Sequence, residues 1–445
     1  MDWRGRKLHF VGIGGAGMSG LALVARRLGA EVSGSDRAAG SPYAGVLRTA
    51  GIEPAAGHDA ANVPGGAELV VSTAIPADNP ERAAARERGL RELHRADLLA
   101  ELTRLRPTIA VAGNHGKTTT ASMIVHALRA CGMDPGYLVG GEVRATGANA
   151  GWGAGAWLVV EADESDRSLL RLDPAVALVT NAELDHDTEY ASARDVEATF
   201  RAFLGRASRA AVVRAGPDGA RLAPAGVATV PFEARDVILV TGGSAFTAGG
   251  VEVTLAVPGL HNAQNAAAAL AACTLAGAEP PAAAASLRDF TGAGRRFERL
   301  GRTPSGAEVV DDYAHHPTEV RATLEAARTL GGERLVAVFQ PHLYSRTRTH
   351  ARGFGAALAL ADRVVVLDVY PARERAEDFP GVTGRLVAAA AADAAEGRPV
   401  AWLPGFDAAE AYLRRLLRAG DVCLVLGAGD VDALGRRLVV GGGAP

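Results

Sequence analysis

The chain of 445 residues has only three cysteines, Cys131, Cys273 and Cys423, and they lie far apart. Zinc modules and redox motifs need cysteines at short, regular spacings, and small disulfide scaffolds need many more of them. The cysteine content therefore argues against all three classes, and it predicts a cytoplasmic protein.

Long apolar runs and blocks of like charge are also missing. The longest alanine-rich run, 266–278, is too short and too weakly hydrophobic to span a bilayer. No apolar N-terminal segment precedes a cleavage site. The 47 basic and 50 acidic residues give a net charge of −3, without a charged tail. Because binding to a nucleic-acid backbone needs clustered cations, we expect neither a nucleic-acid nor a membrane partner.

Lysine is nearly absent, since Lys7 and Lys117 are the only lysines among the 47 basic residues. The chain otherwise uses arginine wherever it needs a cation. A lysine retained in such a composition is a candidate for a task that arginine cannot perform. Lys117 is the stronger candidate because it lies in a glycine-rich segment.

Short β-branched runs alternate with helical stretches along the whole chain. Strands are predicted at 8–13, 69–73, 108–112, 156–160, 177–180, 335–339, 364–367 and 422–426. This alternation predicts an α/β protein with mostly parallel sheets covered by helices, and the length predicts about three domains. We expect a Rossmann-like domain at 1–106, a central P-loop ATPase-type domain at 107–292 and a Rossmann-like C-terminal domain at 293–445. The first boundary follows a charged helix predicted over 81–106, and the second follows the turn-rich segment 289–294.

The segment after the strand at 108–112 has the pattern of a phosphate-binding loop. It contains Gly113, Asn114, His115, Gly116, Lys117, Thr118 and Thr119, and a helix is predicted after it. Glycines let backbone N–H groups surround phosphate oxygens, the lysine reaches the outer phosphates, and Thr118 offers a hydroxyl to Mg²⁺. The two glycines are separated by two residues instead of the usual four, so this is a short variant. We expect a nucleoside triphosphate here rather than a structural turn.

Two later strands end in acidic segments. Glu161 begins the segment EADESD, and His186 follows Asp185 after the strand at 177–180. The carboxyl ends of parallel strands meet at one edge, so Glu161 is the expected partner of Thr118 at a magnesium ion. His186 is expected at a second metal or at the transferred phosphate. Without the phosphate loop nearby, these acids would be read as solvated helix caps.

Asn262 and Asn265 open an alanine-rich helix and share one helical face. Their amide groups provide the donor and the acceptor that would recognise an adenine edge. The alternative is an N-capped helix without a ligand.

The N-terminal glycines form a second candidate site. The segment 12–17, GIGGAG, fits G-x-G-x-x-G between a strand and a helix, and Asp36 lies 24 residues after Gly12. This fingerprint recognises a diphosphate, which NAD, FAD and a UDP-sugar all carry. Because a triphosphate site lies downstream, a UDP-linked substrate fits at least as well as a redox cofactor. A ligand-free turn remains the alternative.

The C-terminal region concentrates histidine and arginine after its predicted strands. His315 and His316 follow one strand, and His342, Arg346 and Arg348 follow another. The adjacent histidines are expected to point apart, and no third ligand has suitable spacing, so we do not expect zinc. An anion-handling surface is the better interpretation, and a solvated basic turn is the alternative.

Taken in order, these segments resemble the Mur ligase family of peptidoglycan synthesis. The matching motifs are GIGGAGMSG (12–20), STAIPADNPE (72–81), GNHGKTTT (113–120), EADESD (161–166), PGLHNAQNAAAA (258–269), FTGAGRRFE (290–298), DDYAHHPTE (311–319), FQPHLYSRT (339–347) and GVTG (381–384). DDYAHHP together with FQPH and YSRT favours the branch that adds L-alanine to UDP-N-acetylmuramate. The resemblance implies that ATP phosphorylates the muramyl carboxylate and that the amine of L-alanine attacks the acyl phosphate through a tetrahedral intermediate.

The resemblance also implies roles for individual residues. The nucleotide would be bound by the loop Gly113 to Thr119, by Asn262 and Asn265, and by Arg296 and Asp312. Thr118, Glu161 and His186 would bind Mg²⁺. The UDP-sugar and the amino acid would be bound by Gly12, Gly14, Gly15, Gly17, Met18, Ser19, Asp36, Ser72, His315, His342 and Arg346. The groups taking part in the chemistry would be Lys117, Glu161, His186, His315 and Arg346. We expect a monomer or a weak homodimer.

Three departures from the family pattern limit this site map. Asn114 replaces the usual threonine of the loop, Leu343 replaces an arginine, and the segment 185–190 places its second acid directly after the histidine. With two lysines in total and Lys117 already assigned, relatives that use a carbamylated lysine are disfavoured.

Three other functions remain open from the sequence. They are a ligase that adds a recycled tripeptide to the same UDP-sugar, a nicotinamide oxidoreductase and a nucleotide-dependent switch. The oxidoreductase would not need Lys117, and the switch would not need the histidine-rich C-terminal region. The FQPHLYSRT segment favours the alanine-adding branch over the tripeptide-adding one.

Overall fold

A computed structural model describes residues 3–37, 41, 43–183, 190 and 192–440. The chain divides into two compact units. The first contains residues 1–235, 247–253 and 264–290, and the second contains 236–246, 254–263 and 291–445.

The first unit begins with a five-stranded, fully parallel sheet of order β3-β2-β1-β4-β5. Its strands are β1 (Lys7–Val11), β2 (Glu31–Asp36), β3 (Ala55–Ala56), β4 (Glu68–Val71) and β5 (Glu92–His94). Its helices are α1 (Ala16–Arg27), α2 (Ala44–Thr49), α3 (Pro80–Glu87) and α4 (Arg95–Thr103). Leu8 and Phe10 on β1 are fully buried, as expected for the central strand of a parallel sheet.

The single charged helix predicted over 81–106 is wrong. The structure has α3, the short strand β5 and α4 in this region. Gly89 adopts a φ of 62°, which a glycine accepts without strain, and the backbone N–H of Leu90 bonds back to the carbonyl of Ala85. This turn ends α3 and allows 92–94 to pair with β4.

The second sheet of this unit has seven strands in the order β12-β11-β10-β6-β9-β7-β8, and only β7 and β8 pair antiparallel. The strands are β6 (Thr108–Ala112), β7 (Gly136–Val143), β8 (Ala148–Gly151), β9 (Leu158–Glu161), β10 (Val176–Val179), β11 (Ala210–Arg214) and β12 (Thr229–Phe232). The helices in this part of the chain are α5 (Lys117–Ala130), α6 (Ala193–Leu204), α7 (Pro217–Leu222), α8 (Leu260–Ala276) and α9 (Pro280–Ser286). Every residue of β6 is buried, so the phosphate loop leaves from the middle of the core.

A small three-stranded sheet lies between β12 and α8 in the sequence. Its strands, in spatial order, are β13 (Arg235–Val240), β14 (Gly243–Ala248) and β15 (Val251–Leu255).

The second unit contains a six-stranded sheet of order β16-β17-β21-β18-β19-β20, in which only β16 and β17 pair antiparallel. The strands are β16 (Glu298–Arg302), β17 (Glu308–Asp312), β18 (Arg334–Phe339), β19 (Arg363–Val366), β20 (Val400–Trp402) and β21 (Asp421–Leu426). The helices are α10 (Pro317–Arg328), α11 (Tyr344–Leu358), α12 (Gly384–Ala394), α13 (Phe406–Leu416) and α14 (Asp432–Val439). Successive residues such as Leu424 and Val425 belong to different apolar clusters, so both faces of this sheet are covered.

The prediction of an α/β fold with mostly parallel sheets is confirmed. Each of the eight predicted strands is present, with bounds shifted by at most two residues. None of the helices in the described ranges is long and apolar enough to cross a membrane.

Candidate active site

The phosphate loop connects β6 to α5 and requires its two glycines. Gly113 and Gly116 adopt φ values of 125° and 81°. A Cβ at Gly113 would lie 2.1 Å from Thr180 Oγ1, and a Cβ at Gly116 would lie 2.5 Å from Asn265 Oδ1. Larger side chains are therefore excluded by both conformation and space. Asn265, on α8, lies directly against the loop.

Residues after β10 fasten the loop from the side. Asn181 Oδ1 accepts a hydrogen bond from His115 N at 3.0 Å, and Thr180 Oγ1 donates to His115 O at 2.6 Å. The side chain of Asn114 is buried, and its Oδ1 accepts from Glu183 N at 2.8 Å. The backbone shape of the loop is therefore set before any nucleotide binds.

Lys117 is held at the mouth of the loop. Its Nζ donates to Gly113 O at 2.6 Å, to Asn114 O at 3.2 Å and to Glu164 Oε1 at 2.8 Å. Burial alone would lower the pKa of this amine, but the carboxylates of Glu164 and Glu161 raise it above its ordinary value. Lys117 is therefore a fixed cation at the N-terminus of α5.

Thr118 and Glu161 face each other across the loop. The two carboxylate oxygens of Glu161 lie 3.1 and 3.0 Å from Thr118 Oγ1, and Gly140 N donates to Glu161 Oε2 at 2.7 Å. A hydroxyl and a carboxylate at this distance form the hard oxygen set that Mg²⁺ prefers, so these residues fit the expected ion. His186 lies outside the described residues.

The N-terminal glycine turn leaves β1 in a similar way. Gly12 adopts a φ of 77°, and Gly14 N donates to Asp36 Oδ2 at 2.8 Å. A Cβ at Gly14 would lie 2.8 Å from that oxygen. Gly15 precedes α1 and supplies no side-chain cap, so the first N–H groups of the helix have no capping side chain.

A cavity of about 210 Å³ extends from this turn to the phosphate loop within the first unit. It is lined by residues that include Gly17, Arg95, Lys117, Glu161 and Asp163. The two sites predicted separately from the sequence therefore open into the same space.

Of the residues of this unit that were expected to bind the UDP-sugar, Gly17 lines this cavity. The others lie outside its lining: Gly12, Gly14, Gly15, Met18, Ser19, Asp36 and Ser72. Met18 and Ser19 are buried, and Ser19 Oγ lies 3.2 Å from Asn149 Nδ2. Ser72 directly follows β4 and is partly exposed.

The second unit gathers its expected residues after β17 and β18. Asp312 accepts hydrogen bonds from Phe297 N at 2.7 Å and Ala314 N at 2.8 Å, and burial raises the pKa of its carboxyl. Arg296 lies over the ring of Tyr313 at 4.8 Å. Asn262 lies in the first turn of α8, and its Nδ2 donates to Pro258 O at 2.7 Å.

His315, His342 and Arg346 come together in this unit. The two rings are 6.0 Å apart, and Arg346 Nη1 lies 3.4 Å from His342 Nδ1. Burial lowers the pKa of His315 to about 4 and that of His342 to about 3, and the Arg346 charge adds to both shifts. Both rings are therefore neutral near pH 7.

His316 has a different place from His315. It caps α10 through a capping box with Glu319, and its ring packs against His350. The expectation that the adjacent histidines point apart is confirmed. Leu343 is buried with a φ of 69°, so the position where an arginine was expected is part of the core.

Four residues near the candidate sites of the two units were not predicted from the sequence. Glu164 lies in the recognised segment EADESD, but the sequence did not indicate which acid faces Lys117. Arg95 was hidden inside the wrongly predicted helix, whereas a strand at 92–94 would have placed it at the sheet edge. Tyr370 stacks on His342 with ring centres 5.8 Å apart, and Asn181 fastens the loop. No local pattern indicates these two.

Three family models match: "Mur ligase family, catalytic domain" at 7–106, "Mur ligase middle domain" at 111–273 and "Mur ligase, glutamate ligase domain" at 295–429. The UDP-N-acetylmuramate–L-alanine ligase of Kineococcus radiotolerans is 49% identical, over 97% of this chain and 95% of that protein.

Two solved structures are similar over nearly the whole length. The UDP-N-acetylmuramate–alanine ligase of Thermotoga maritima has 28% identity and a TM-score of 0.83, covering 97% of this chain and 98% of its own. A murein peptide ligase of Psychrobacter arcticus has 26% identity and a TM-score of 0.74, covering 98% of both chains.

Proposed function

The chain belongs to the Mur ligase family, and from this premise we infer that it joins L-alanine to the carboxylate of UDP-N-acetylmuramate at the expense of ATP. The step belongs to the synthesis of peptidoglycan precursors. The relative with 49% identity over 97% of the chain carries this inference. The cavity that connects a diphosphate-type turn with a triphosphate-type loop supports it independently.

We propose that the phosphate loop binds ATP and that Thr118 and Glu161 hold Mg²⁺, together with His186. When bound, the ion would neutralise negative charge that develops during phosphoryl transfer. Lys117 would exchange its contact with Glu164 for the outer phosphate, because its amine already lies at the N-terminus of α5. Asn265 lies against Gly116 and would contact the nucleotide beside the loop, together with Asn262.

The turn from Gly12 to Gly17, with Asp36 behind it, would bind the UDP part of the sugar substrate. A carboxylate is a poor electrophile, so it must be activated before an amine can attack it. The cavity between the turn and Lys117 gives the muramyl carboxylate a path toward the phosphate to be transferred.

In the second unit we propose that Arg296 and Asp312 contact the nucleotide and that His315, His342 and Arg346 handle the amino acid. The amine of L-alanine must lose a proton before or during attack, and a neutral imidazole can accept one. The low pKa values keep His315 and His342 uncharged near pH 7, so neither ring adds positive charge beside the incoming amine, although both are weak proton acceptors. Arg346 would bind the carboxylate of the amino acid or the charge of the intermediate.

The domain boundaries at 106/107 and 292/293 belong to the same proposal. So do the cytoplasmic location and the monomeric or weakly dimeric state, which stay predictions from the sequence.

The test is phosphate release by the purified protein with ATP, Mg²⁺ and UDP-N-acetylmuramate. L-alanine and the tripeptide L-Ala-D-Glu-diaminopimelate are added in parallel reactions. We expect release that depends on L-alanine, with a product of the mass of UDP-N-acetylmuramoyl-alanine. Release with the tripeptide only would assign the chain to the tripeptide-adding branch. No release with either, from folded protein that binds ATP, would refute the ligase function.

A further inference from the structure

Arg95 stands at the same sheet edge as the N-terminal glycine turn. It is the first residue of α4 and directly follows β5, which belongs to the same parallel sheet as β1. A Cβ added to Gly17 would lie 3.5 Å from Arg95 Nη1. The guanidinium therefore lies beside the first turn of α1, where helix N–H groups lack intrahelical partners.

Two carboxylates that follow strand β9 of the seven-stranded sheet hold this guanidinium in one orientation. Arg95 Nη2 donates to Asp163 Oδ2 at 2.6 Å and lies 3.3 Å from Asp166 Oδ2. In the part of the chain that the structure describes, no acceptor meets Nη1 or Nε. Nη2 is therefore anchored by the two carboxylates, Nη1 keeps its N–H groups available, and Arg95 lines the cavity.

The positions of the cationic side chains in the cavity lining indicate which ligand group Arg95 could bind. Lys117 and Arg95 are the two cationic side chains among the described residues that line it. Lys117 is bonded to Glu164 and to the phosphate loop, at the end of the cavity where ATP is proposed to bind. Of the two, Arg95 lies beside the first turn of α1, where the phosphates of a UDP-sugar at the glycine turn would lie.

We propose that Arg95 binds the diphosphate of the UDP-sugar substrate through Nη1, next to the N-terminus of α1. The assignment rests on the proposed function. Nη1 carries two N–H groups of a charged guanidinium, which are strong donors to phosphate oxygens. Asp163 and Asp166 offset part of its charge, so its contribution is directed hydrogen bonding from a guanidinium that Nη2 holds in place. Gly17 keeps the space beside the guanidinium open.

The test compares Arg95→Ala with Arg104→Ala in the full-length protein. Arg104 follows the other end of α4 and forms an ion pair with Asp173 at 2.7 Å, outside the cavity. Titration calorimetry measures binding of UDP-N-acetylmuramate, UDP and ADP to each. We expect Arg95→Ala to weaken UDP-N-acetylmuramate and UDP by about tenfold, or about 1.4 kcal/mol. ADP affinity should stay within about twofold, and Arg104→Ala should leave all three affinities at the wild-type level.

Arg95→Lys separates binding from folding. A lysine keeps the charge and one ion pair but has no second nitrogen to donate to a phosphate while it pairs with Asp163, so we expect the same loss of UDP affinity with less thermal destabilisation than Arg95→Ala. Thermal unfolding of each variant accompanies its titration.

Each other outcome has a definite meaning. Weakening of UDP-N-acetylmuramate without weakening of UDP would assign Arg95 to the muramyl carboxylate and overturn the proposal. Equal losses in Arg104→Ala, or no loss in Arg95→Ala, would also overturn it. A wild-type protein that binds UDP but forms no alanine product would remove the proposed function, while the Arg95 titration with UDP would keep its meaning.

Discussion

The seven-stranded sheet of the first unit (the central sheet) and the six-stranded sheet of the second unit (the C-terminal sheet) both carry residues proposed to bind reactants near the carboxyl ends of their strands. The two groups of residues differ in whether the fold stabilises their charged or their neutral forms. At the edge of the central sheet, ionic partners stabilise the charged forms: the pKa of Lys117 is raised by nearby carboxylates. Burial would raise the pKa of Asp163, but the charge of Arg95 brings it down to about 2. At the edge of the C-terminal sheet, burial suppresses charge, since the pKa values of His315 and His342 fall to about 4 and about 3.

This difference matches the chemistry proposed for each edge. Phosphates and Mg²⁺ carry charge throughout phosphoryl transfer, so they need permanent counter-charges in fixed positions. An ammonium group must instead give up a proton, and uncharged rings beside it leave the amine without further positive charge after that loss. The same parallel-strand scaffold serves both tasks because strand ends, loops and the helices that follow them supply the charges, and each edge uses different residues there.

The largest effect is expected from removing the central cation. Lys117→Ala should reduce the rate of alanine-dependent phosphate release by about 10³-fold, because a preorganised cation at the transferred phosphate is lost. Lys7→Ala is the matched control, since Lys7 is the other lysine and lies exposed on β1.

Binding of UDP-N-acetylmuramate reports on the fold of Lys117→Ala and should stay within about twofold of wild type. More than a tenth of wild-type activity in a folded Lys117→Ala protein would contradict the role of Lys117. It would also break the contrast between the two edges.

A second test addresses the carboxylate at the same edge. Glu161→Gln keeps the shape of the side chain and one oxygen acceptor, but it removes the negative charge that faces Thr118 Oγ1 at 3.0 Å. We expect the Mg²⁺ concentration for half-maximal activity to rise by about tenfold to a hundredfold, since loss of one charged ligand weakens a hard-cation site. The exposed Glu142→Gln is the control. An unchanged Mg²⁺ dependence would mean that Glu161 is not a metal ligand.

The sequence predicts the local parts of this contrast well. A strand, a glycine turn and a helix N-terminus are adjacent in the chain, so Gly113 to Thr119 and Gly12 to Gly17 can be found from spacing alone. The eight strands followed from β-branched runs for the same reason. Partners separated in the chain were not predicted, and Lys117 and Glu164 are 47 residues apart.

The wrongly predicted helix shows how one local error propagates. Gly89 was not taken as a helix end, so 92–94 was not recognised as a strand, and Arg95 was not placed at the sheet edge. The low pKa values of His315 and His342 were also not predictable from the sequence, because they depend on burial in the folded protein and on the charge of Arg346. The sequence shows which residues are present, but it does not show which of them the fold buries or brings into contact.

The buried, neutral His342 of the C-terminal sheet leads to a prediction about the stability of the protein in acid. In the unfolded chain a histidine binds a proton as the pH falls through about 6.5, but folded His342 does so only near pH 3. Between these values the unfolded state binds more protons, so acid lowers the free energy of unfolding. The contribution of His342 is fully present above pH 6.5 and decreases as the pH falls.

His342→Gln should therefore reduce the loss of unfolding free energy between pH 7 and pH 5 by about 1 to 2 kcal/mol. His126→Gln, which removes a hydrogen bond to Ser286 O in the first unit, serves as the control for the pH difference. Denaturant unfolding at the two pH values measures both. An unchanged pH difference in His342→Gln would mean that the ring is not held neutral, and the contrast between the edges would weaken.

The smallest effect is expected from changes to Asn114 and Asn181, the uncharged side chains that hold the phosphate loop in its shape. Asn114→Thr removes the acceptor of Glu183 N, a single hydrogen bond worth about 1 kcal/mol, so the KM for ATP should change by no more than about fivefold. Asn181→Ala removes two contacts to the backbone of His115, at 3.0 and 2.9 Å, and should raise that KM more, by about tenfold. Steady-state kinetics with varied ATP separates the two variants. If Asn114→Thr had the larger effect, the side chain at 114 would determine nucleotide affinity, rather than the backbone shape that Asn181 holds.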